Sequence, residues 1–454
     1  MARGHARAGA RAADLRPHGP DLMPSEVAPK AESSMATGKE ERVAGACAKR
    51  DADADDDEDA VRTCVLARRW RHLWKSAASP RVVSTGGQFL EPSDKLREFM
   101  DHLLLGRGGA ALESFEFRIG DDYVVLLSEE DVLSFESWFR HAVTSKAQVL
   151  RLLLCPLAFL VLDDPPLVSK HLTRLELSFV EVEGSFLNFS GCPNLEHLEF
   201  KSCSLSFGST KISFQSLKHL SITCCRLGSI MDLGSRIRIT APNLVSLVLD
   251  NCFGLTPILE SMPSLMEASV RICDSIDRCQ LWDANYWECN CKSCDTHGDG
   301  TSCVLLNGLS EATSLMLISE TTMCIFRRDI KRCPIFSNLK NLWLNDYWCI
   351  PEEFSMLTCI LEHSPILEKL TLEFVSEGKH KLELEGNISS TDTERSATIS
   401  EYLKKVKVKC SFVDDIVISV LKFLHVTDIC MSSHYLLSHW TGILLKVVAF
   451  YQTC

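Results

Sequence analysis

The chain has 454 residues, 46% apolar and 24% charged, with 48 Lys and Arg against 60 Asp and Glu for a net charge of −12. Such a composition excludes a wholly disordered chain, supplies a sizeable core and suggests roughly three domains by length alone. The negative balance weighs against broad phosphate-backbone binding, so no nucleic-acid partner is expected.

Residues 1–59 are rich in Ala, Arg, Pro and Asp and end in DADADDDED, in which seven of nine residues are acidic. This reads as a disordered, acidic-ended tail. Its first residues lack the apolar stretch of a secretory signal; their Arg and Ala leave an organelle-transit reading, opposed by scarce Ser and by Asp14 and Asp21. The charge sign then reverses, with no Asp or Glu between Ala60 and Leu90. Within VRTCVLARRWRHLWKS, apolar spacings of one, three and four predict a short amphipathic helix or helix pair ending before Pro80.

Beyond residue 110 an L-x-x-L-x-L phrase recurs. It starts, with apolar substitutes for Leu, at Leu112, Val149, Leu172, Leu195, Leu217, Leu244, Leu265, Ala312, Leu339, Leu367 and Leu403. The steps from Val149 to Leu265 are 23, 23, 22, 27 and 21 residues, which is the spacing of leucine-rich repeats. One such unit cannot bury its own apolar face, so neighbours must stack. The predicted fold is an α/β leucine-rich repeat solenoid with parallel strands on its concave face and helices or irregular turns outside. The 47-residue step from Leu265 to Ala312 holds either two irregular repeats or one repeat with an insertion. Pro193, Pro242, Pro263 and Pro365 stand two residues before a phrase and are expected to set the chain extended there.

Alternation along a strand places the third, fifth and seventh residues of each phrase on the concave face. The candidate binding panel is therefore Arg174, Glu176, His197, Glu199, Lys201, His219, Asp250, Glu267, Arg271, Asn341, Trp343, Asn345, Lys369, Glu373, Lys405, Lys407 and Lys409. Trp343 is the expected anchor, because aromatic side chains dominate interface energetics. The lysine ladder of the final strand either attracts an acidic partner or protects a sheet edge.

The 21 cysteines, an odd number below about 5% of residues, read as mostly free thiols in a reducing compartment. Cys203, Cys225, Cys252 and Cys273 each stand eight residues after a phrase start. A small, easily buried side chain suits a tight turn off the strand there.

Five segments resemble plant F-box/leucine-rich repeat proteins, particularly those of grasses. Val61–Ser76 resembles the back half of the F-box, and FMDHLLLGRGGAALESFEFRI resembles the lead into the first repeat. CPNLEHLEFKSC and APNLVSLVLDNC resemble repeat segments, and EYLKKVKVKCSFVDDIVISVLKFL resembles the closing strand-helix unit. The acidic-apolar front half of the F-box, centred on Leu-Pro, is replaced by the Asp/Ala-rich run, and residues 431–454 match nothing in the family. The resemblance implies a partial F-box at 60–82, repeats at 83–400, a terminal unit at 401–430 and a tail at 431–454. It implies a non-enzymatic substrate-recognition subunit of an SCF-type ubiquitin ligase that binds a protein target. Val65, Leu66, Trp70, Leu73 and Trp74 would then contact a Skp1-type adaptor or pack the module itself. The alternative is a repeat scaffold or decoy that no longer docks Skp1.

One cluster, at residues 279–303, has the look of chemistry. Cys289, Cys291, Cys294, His297 and Cys303 follow the spacing C-x-C-x2-C-x2-H-x5-C. Zinc, free thiols and a disulfide all remain open there. No Walker loop, H-E-x-x-H or G-x-S-x-G is present, so no cofactor or catalytic group is expected. The apolar runs Val149–Leu162 and Tyr435–Phe450 are too short and too interrupted to span a bilayer, so a cytoplasmic or nuclear protein without a membrane partner is expected.

Overall fold

The structure is a computed structural model. It describes residues 78–84, 97, 100–102, 104, 111–119, 129–156, 160–163, 165–207, 211–228, 236–273, 303–320, 323–349, 354–374, 382–387, 401–410, 413–426 and 431–432. The expected acidic tail, the F-box residues Val65, Leu66, Trp70, Leu73 and Trp74, and Cys289, Cys291, Cys294 and His297 lie outside the described residues.

Each L-x-x-L-x-L phrase forms a short strand whose leucines alternate inward. In chain order the elements are β1 (Arg81–Ser84), β2 (Ser114–Ile119), α1 (Glu129–Thr144), β3 (Val149–Leu153), β4 (Leu160–Leu162), β5 (Arg174–Ser178), β6 (Val180–Gly184), β7 (His197–Lys201), β8 (Ser204–Phe207) and β9 (Lys211–Ser213). There follow β10 (His219–Thr223), β11 (Arg226–Leu227), β12 (Arg238–Thr240), β13 (Ser246–Asp250), β14 (Phe253–Gly254), β15 (Ile258–Leu259), β16 (Glu267–Ile272) and β17 (Ser314–Ser319). The chain continues through α2 (Ile325–Ile330), β18 (Asn341–Asn345), α3 (Ser355–Glu362), β19 (Lys369–Glu373), β20 (Leu382–Asn387), β21 (Lys405–Cys410), α4 (Asp415–Val426) and β22 (Met431–Ser432).

Fourteen strands make one sheet in the order β1-β2-β3-β5-β7-β10-β13-β16-β17-β18-β19-β21-β20-β22, the first twelve of them parallel. β20 joins antiparallel to β21, and β22 antiparallel to β20. Leu175, Leu198, Leu220, Leu247, Ala268, Leu315, Leu342, Leu370 and Val406 stand in register and are all buried. Stacking these columns gives one continuous apolar core. This is the α/β architecture of a leucine-rich repeat solenoid, and among the described residues no helix is long and apolar enough to cross a membrane.

The register corrects one expectation and decides another. Val149 stands opposite both Ser114 and Arg174, which are third residues of their phrases, so the true phrase start is Ala147. The third repeat position is thus taken by Val149 and the inward residues are Leu150, Leu152 and Leu154. An Ala in the first slot hides the frame. Glu267 pairs directly with Ser314, so the 47-residue step is one repeat with an insertion. At the N-terminal end β1, over residues 81–84, pairs in parallel with β2.

Where helices or irregular turns were expected outside the large sheet, residues 160–259 form two small parallel sheets, β14-β11-β8-β6-β4 and β15-β12-β9. Short repeats of 21–27 residues leave little chain for a helix at 1.5 Å per residue, and an extended back strand closes the coil. Helices appear instead in the longer units, as α1, α2 and α3. The prolines act differently from expectation too. Leu195, Leu244, Leu265 and Leu367 donate their N–H to the carbonyls of Cys192, Ala241, Met262 and Ser364, at 3.0–3.2 Å. Each proline sits second in a four-residue turn, where its fixed φ is favourable. Ala312 closes the same turn on Leu309 without a proline.

The strand exits share a second turn. Phe179, Ser202, Cys224 and Asn251 adopt φ of 56°, 53°, 55° and 49°, each seven residues after a phrase start. The next residue, Val180, Cys203, Cys225 or Cys252, turns into the interior. Cys225 Sγ accepts from the Cys203 N–H at 3.4 Å, and the Cys203 thiol donates to the Leu177 carbonyl at 3.4 Å. The cysteines thus link successive turns. With the corrected frame, Cys155 also stands eight residues after its phrase start and is buried. Every described cysteine is a free thiol.

Candidate functional site: the open face of the large sheet

The outward positions of the strands form three rows across the sheet. The twelve residues Arg174, Glu176, His197, Glu199, Lys201, His219, Asp250, Arg271, Trp343, Lys405, Lys407 and Lys409 lie on these rows, and none is buried. Asn345 does not belong with them. It is 5% exposed, its Nδ2 donates to the Ser319 carbonyl at 2.8 Å, and its Oδ1 accepts from the Ser319 N–H at 3.2 Å. Both ends of that amide tie β17 to β18, which removes it from any binding role.

At the N-terminal end, register stacks opposite charges. Glu116 takes Arg81 at 3.1 Å, Arg118 at 3.2 Å and Arg151 at 3.7 Å, and Arg151 reaches on to Glu176 at 3.0 Å. Arg174 closes the chain on Glu176. This ladder spans four neighbouring strands, and four guanidinium groups share two carboxylates. Sequence reasoning missed Arg81, Glu116, Arg118 and Arg151. Glu116 and Arg118 already occupied the fifth and seventh positions of the Leu112 phrase, whereas Arg151 was concealed by the misplaced Val149 start.

In the middle, the rings of His197 and His219 stack at 4.3 Å and 7°. Burial first, then the neighbouring His219 and Arg174, hold the His197 imidazole below its ordinary value. Beside the pair Glu196 and Lys218 meet at 2.7 Å, and that hydrogen bond holds the Glu196 carboxyl below its usual range. Ser221, Ser246 and Val248 are small, so Arg174, Glu176, His197, Glu199 and His219 stand around a shallow depression. Glu199 and Lys201 make no ion pair among the described residues, which leaves their charges available to a partner.

Toward the C-terminal end, Trp343 Nε1 donates to Glu373 at 3.1 Å, while Lys409 Nζ sits 3.9 Å from the indole centroid. The lysine strand is not a sheet edge. Lys407 stands opposite Glu385, and Lys409 opposite Glu383, across the antiparallel β20. The strand that bears the lysines is therefore interior to the sheet, which answers the edge-protection reading.

Cys303, the described member of the cysteine-rich segment, is buried, and its thiol donates to the carbonyls of Asp329 at 3.3 Å and Arg332 at 2.8 Å. Burial first, and then the Asp329 charge, push it up to about 12. A protonated thiol committed to two carbonyls is a packing group. Nearby, and unforeseen from the sequence, Cys333, Cys359 and His363 come together on the back of the solenoid. A contact in which the Cys333 thiol faces Cys359 holds Cys359 down to about 7 and Cys333 up.

No known family model matches the chain. No solved structure matches it either. Among curated proteins it is similar to the meiotic F-box protein MOF of Oryza sativa subsp. japonica, 27% identical over 382 residues, covering 77% of this chain and 75% of that protein. An FBD-associated F-box protein of Arabidopsis thaliana is 25% identical over 414 residues, covering 81% and 82%. An F-box/FBD/LRR-repeat protein of the same plant is 26% identical over 349 residues, covering 70% and 73%. These matches agree with the architecture of the repeat sheet: the homologues of this chain are plant F-box/FBD/leucine-rich repeat proteins, at 24–27% identity over most of its length.

Proposed function

We propose that this protein is a non-enzymatic substrate-recognition subunit of an SCF-type ubiquitin ligase, working in the cytoplasm or nucleus. The observation that carries the reading is the open face of a twelve-strand parallel run, with charges at Glu199 and Lys201 and an aromatic surface at Trp343, in a chain whose relatives are F-box proteins. A repeat array of this kind offers a long rigid platform, and rigid platforms bind proteins without a large ordering cost. The target is a protein read by the rows around Arg174, His197, Glu199, His219 and Trp343. Val65, Leu66, Trp70, Leu73 and Trp74 dock the Skp1-type adaptor, and ubiquitin transfer belongs to the partners.

The test is co-purification of the intact chain with a Skp1-type adaptor, beside a Trp70→Ala, Leu73→Ala variant. Retention by the intact chain and loss in the variant is the expected result. A second reading, a repeat protein that binds targets without the adaptor, is favoured by one observation. The run DADADDDED occupies the place of the Leu-Pro front half of an F-box. Failure of the intact chain to retain the adaptor establishes that reading in place of the first.

A further inference from the structure

The sequence puts Cys333 and Pro334 directly after α2, and Cys359 and His363 four residues apart at the end of α3. Residues four apart lie on one face of a helix. The end of α3 is turned toward the end of α2: the Cys359 thiol reaches the Ile330 carbonyl at 3.7 Å, and the Phe336 N–H donates to the His363 carbonyl at 2.8 Å. As a result the ligand-type atoms of Cys333, Cys359 and His363 all lie within 4.8 Å of one another. Cys359 Sγ and His363 Nδ1 are 3.8 Å apart.

Those separations are close to what a single tetrahedral ion requires. Zn–S bonds of about 2.3 Å and Zn–N bonds of about 2.0–2.1 Å put neighbouring ligand atoms roughly 3.6–3.8 Å apart. Small rotamer changes close the difference. Two thiols and an imidazole are a soft set that suits zinc over magnesium or calcium. All three residues are half-buried, so solvent reaches the fourth position. Cys303 lies outside this group of three, and its thiol donates to the Asp329 and Arg332 carbonyls at 3.3 and 2.8 Å. His363 Nδ1 lies 2.8 Å from the Cys359 carbonyl, which only accepts, so zinc binding through Nδ1 requires the ring to give up that hydrogen bond.

We propose that Cys333, Cys359 and His363 form a zinc site that clasps the ends of α2 and α3 on the back of two successive repeats, with solvent as the fourth ligand. Binding displaces the thiol protons to solvent and adds a metal link between two units already joined by the Phe336–His363 backbone hydrogen bond. The site is separate from the proposed target-binding face and does not depend on that reading.

The experiment uses the full chain in reducing buffer, with Cys289→Ser, Cys291→Ser and Cys294→Ser introduced to remove the other thiol cluster, and Zn2+ alone as the probe. The expected result is one equivalent of zinc retained through gel filtration, a higher melting temperature with zinc than without, and loss of both on Cys359→Ser. His363→Gln serves as the second variant, and the zinc-free melting temperature shows that each variant folds. Substitution by Co2+ should give a tetrahedral visible spectrum whose thiolate charge-transfer band falls in Cys359→Ser. No retained zinc in a folded chain, or zinc retained undiminished by both variants, overturns the proposal.

Discussion

The Lys409 ammonium sits 3.9 Å from the centroid of the Trp343 ring, two strands away across the sheet. The Glu373 carboxylate, which accepts from the indole Nε1, belongs to the strand between them. The three side chains form one rigid patch on the open face. A cation over an exposed indole is worth about 0.5–1 kcal/mol. A double-mutant cycle with Trp343→Leu and Lys409→Met, read by urea unfolding, should return a coupling of that size, and additive effects would show the contact to be idle.

The stacked pair His197 and His219 sets a pH dependence. In the folded chain burial, His219 and Arg174 lower the His197 pKa, with Glu196 opposing and Lys218 adding to the effect. Above the unfolded value of about 6.5 both states carry a neutral imidazole, and this group contributes no difference. Below it the unfolded chain binds the proton first, so stability falls as the pH drops toward the folded value. The wild type should lose more melting temperature between pH 7.5 and 5.5 than His197→Gln does. An equal loss in both would remove this group from the account.

Cys224 tests the turn that ends each strand. It is exposed, with φ of 55°, a conformation that costs an ordinary side chain about 1–2 kcal/mol. Cys224→Gly should leave stability unchanged or raise it, whereas Cys224→Val should lower it by about 1 kcal/mol or more, because a branched residue is poorly tolerated there. Chemical denaturation of the two variants ranks them, and the reverse order would contradict the turn geometry.

Asp329 anchors the chain that returns from the insertion. Its carboxylate accepts from the buried N–H groups of Val304, Leu305 and Leu306 at 2.8, 2.6 and 3.0 Å. Each buried donor left without a partner costs about 1–3 kcal/mol. Asp329→Ala should therefore destabilise the chain by about 3 kcal/mol or more in denaturant unfolding, and a loss below 1 kcal/mol would mean that water replaces the carboxylate.

The repeat was legible because leucines at fixed offsets must stack, and ten of the eleven phrase starts agree with the strand register. The exception, Val149, shows the limit of pattern reading: Ala147 fills the first slot without looking like part of the phrase, and the frame slipped by two. That slip also hid Arg151 and the position of Cys155. Side chains at fixed offsets were found, but contacts set by neighbouring repeats were not. Glu116 collects arginines from three strands, and Cys333 meets Cys359 only because α2 and α3 end side by side. Asn345 obeyed the alternation rule yet is buried, with both ends of its amide tied to Ser319 of β17. The lysine ladder looked like an edge because β20, antiparallel and outside the phrase, gives no leucine-rich signature.

In the proposed function the open sheet face selects a protein target while a separate module docks the adaptor. Its most direct test is quantitative recovery of partners by the intact chain and by a Glu199→Lys, Trp343→Ala variant, with the Skp1-type adaptor measured in the same samples. The variant should keep the adaptor and lose the target proteins held by the intact chain. Recovery of the same target proteins by both would contradict it.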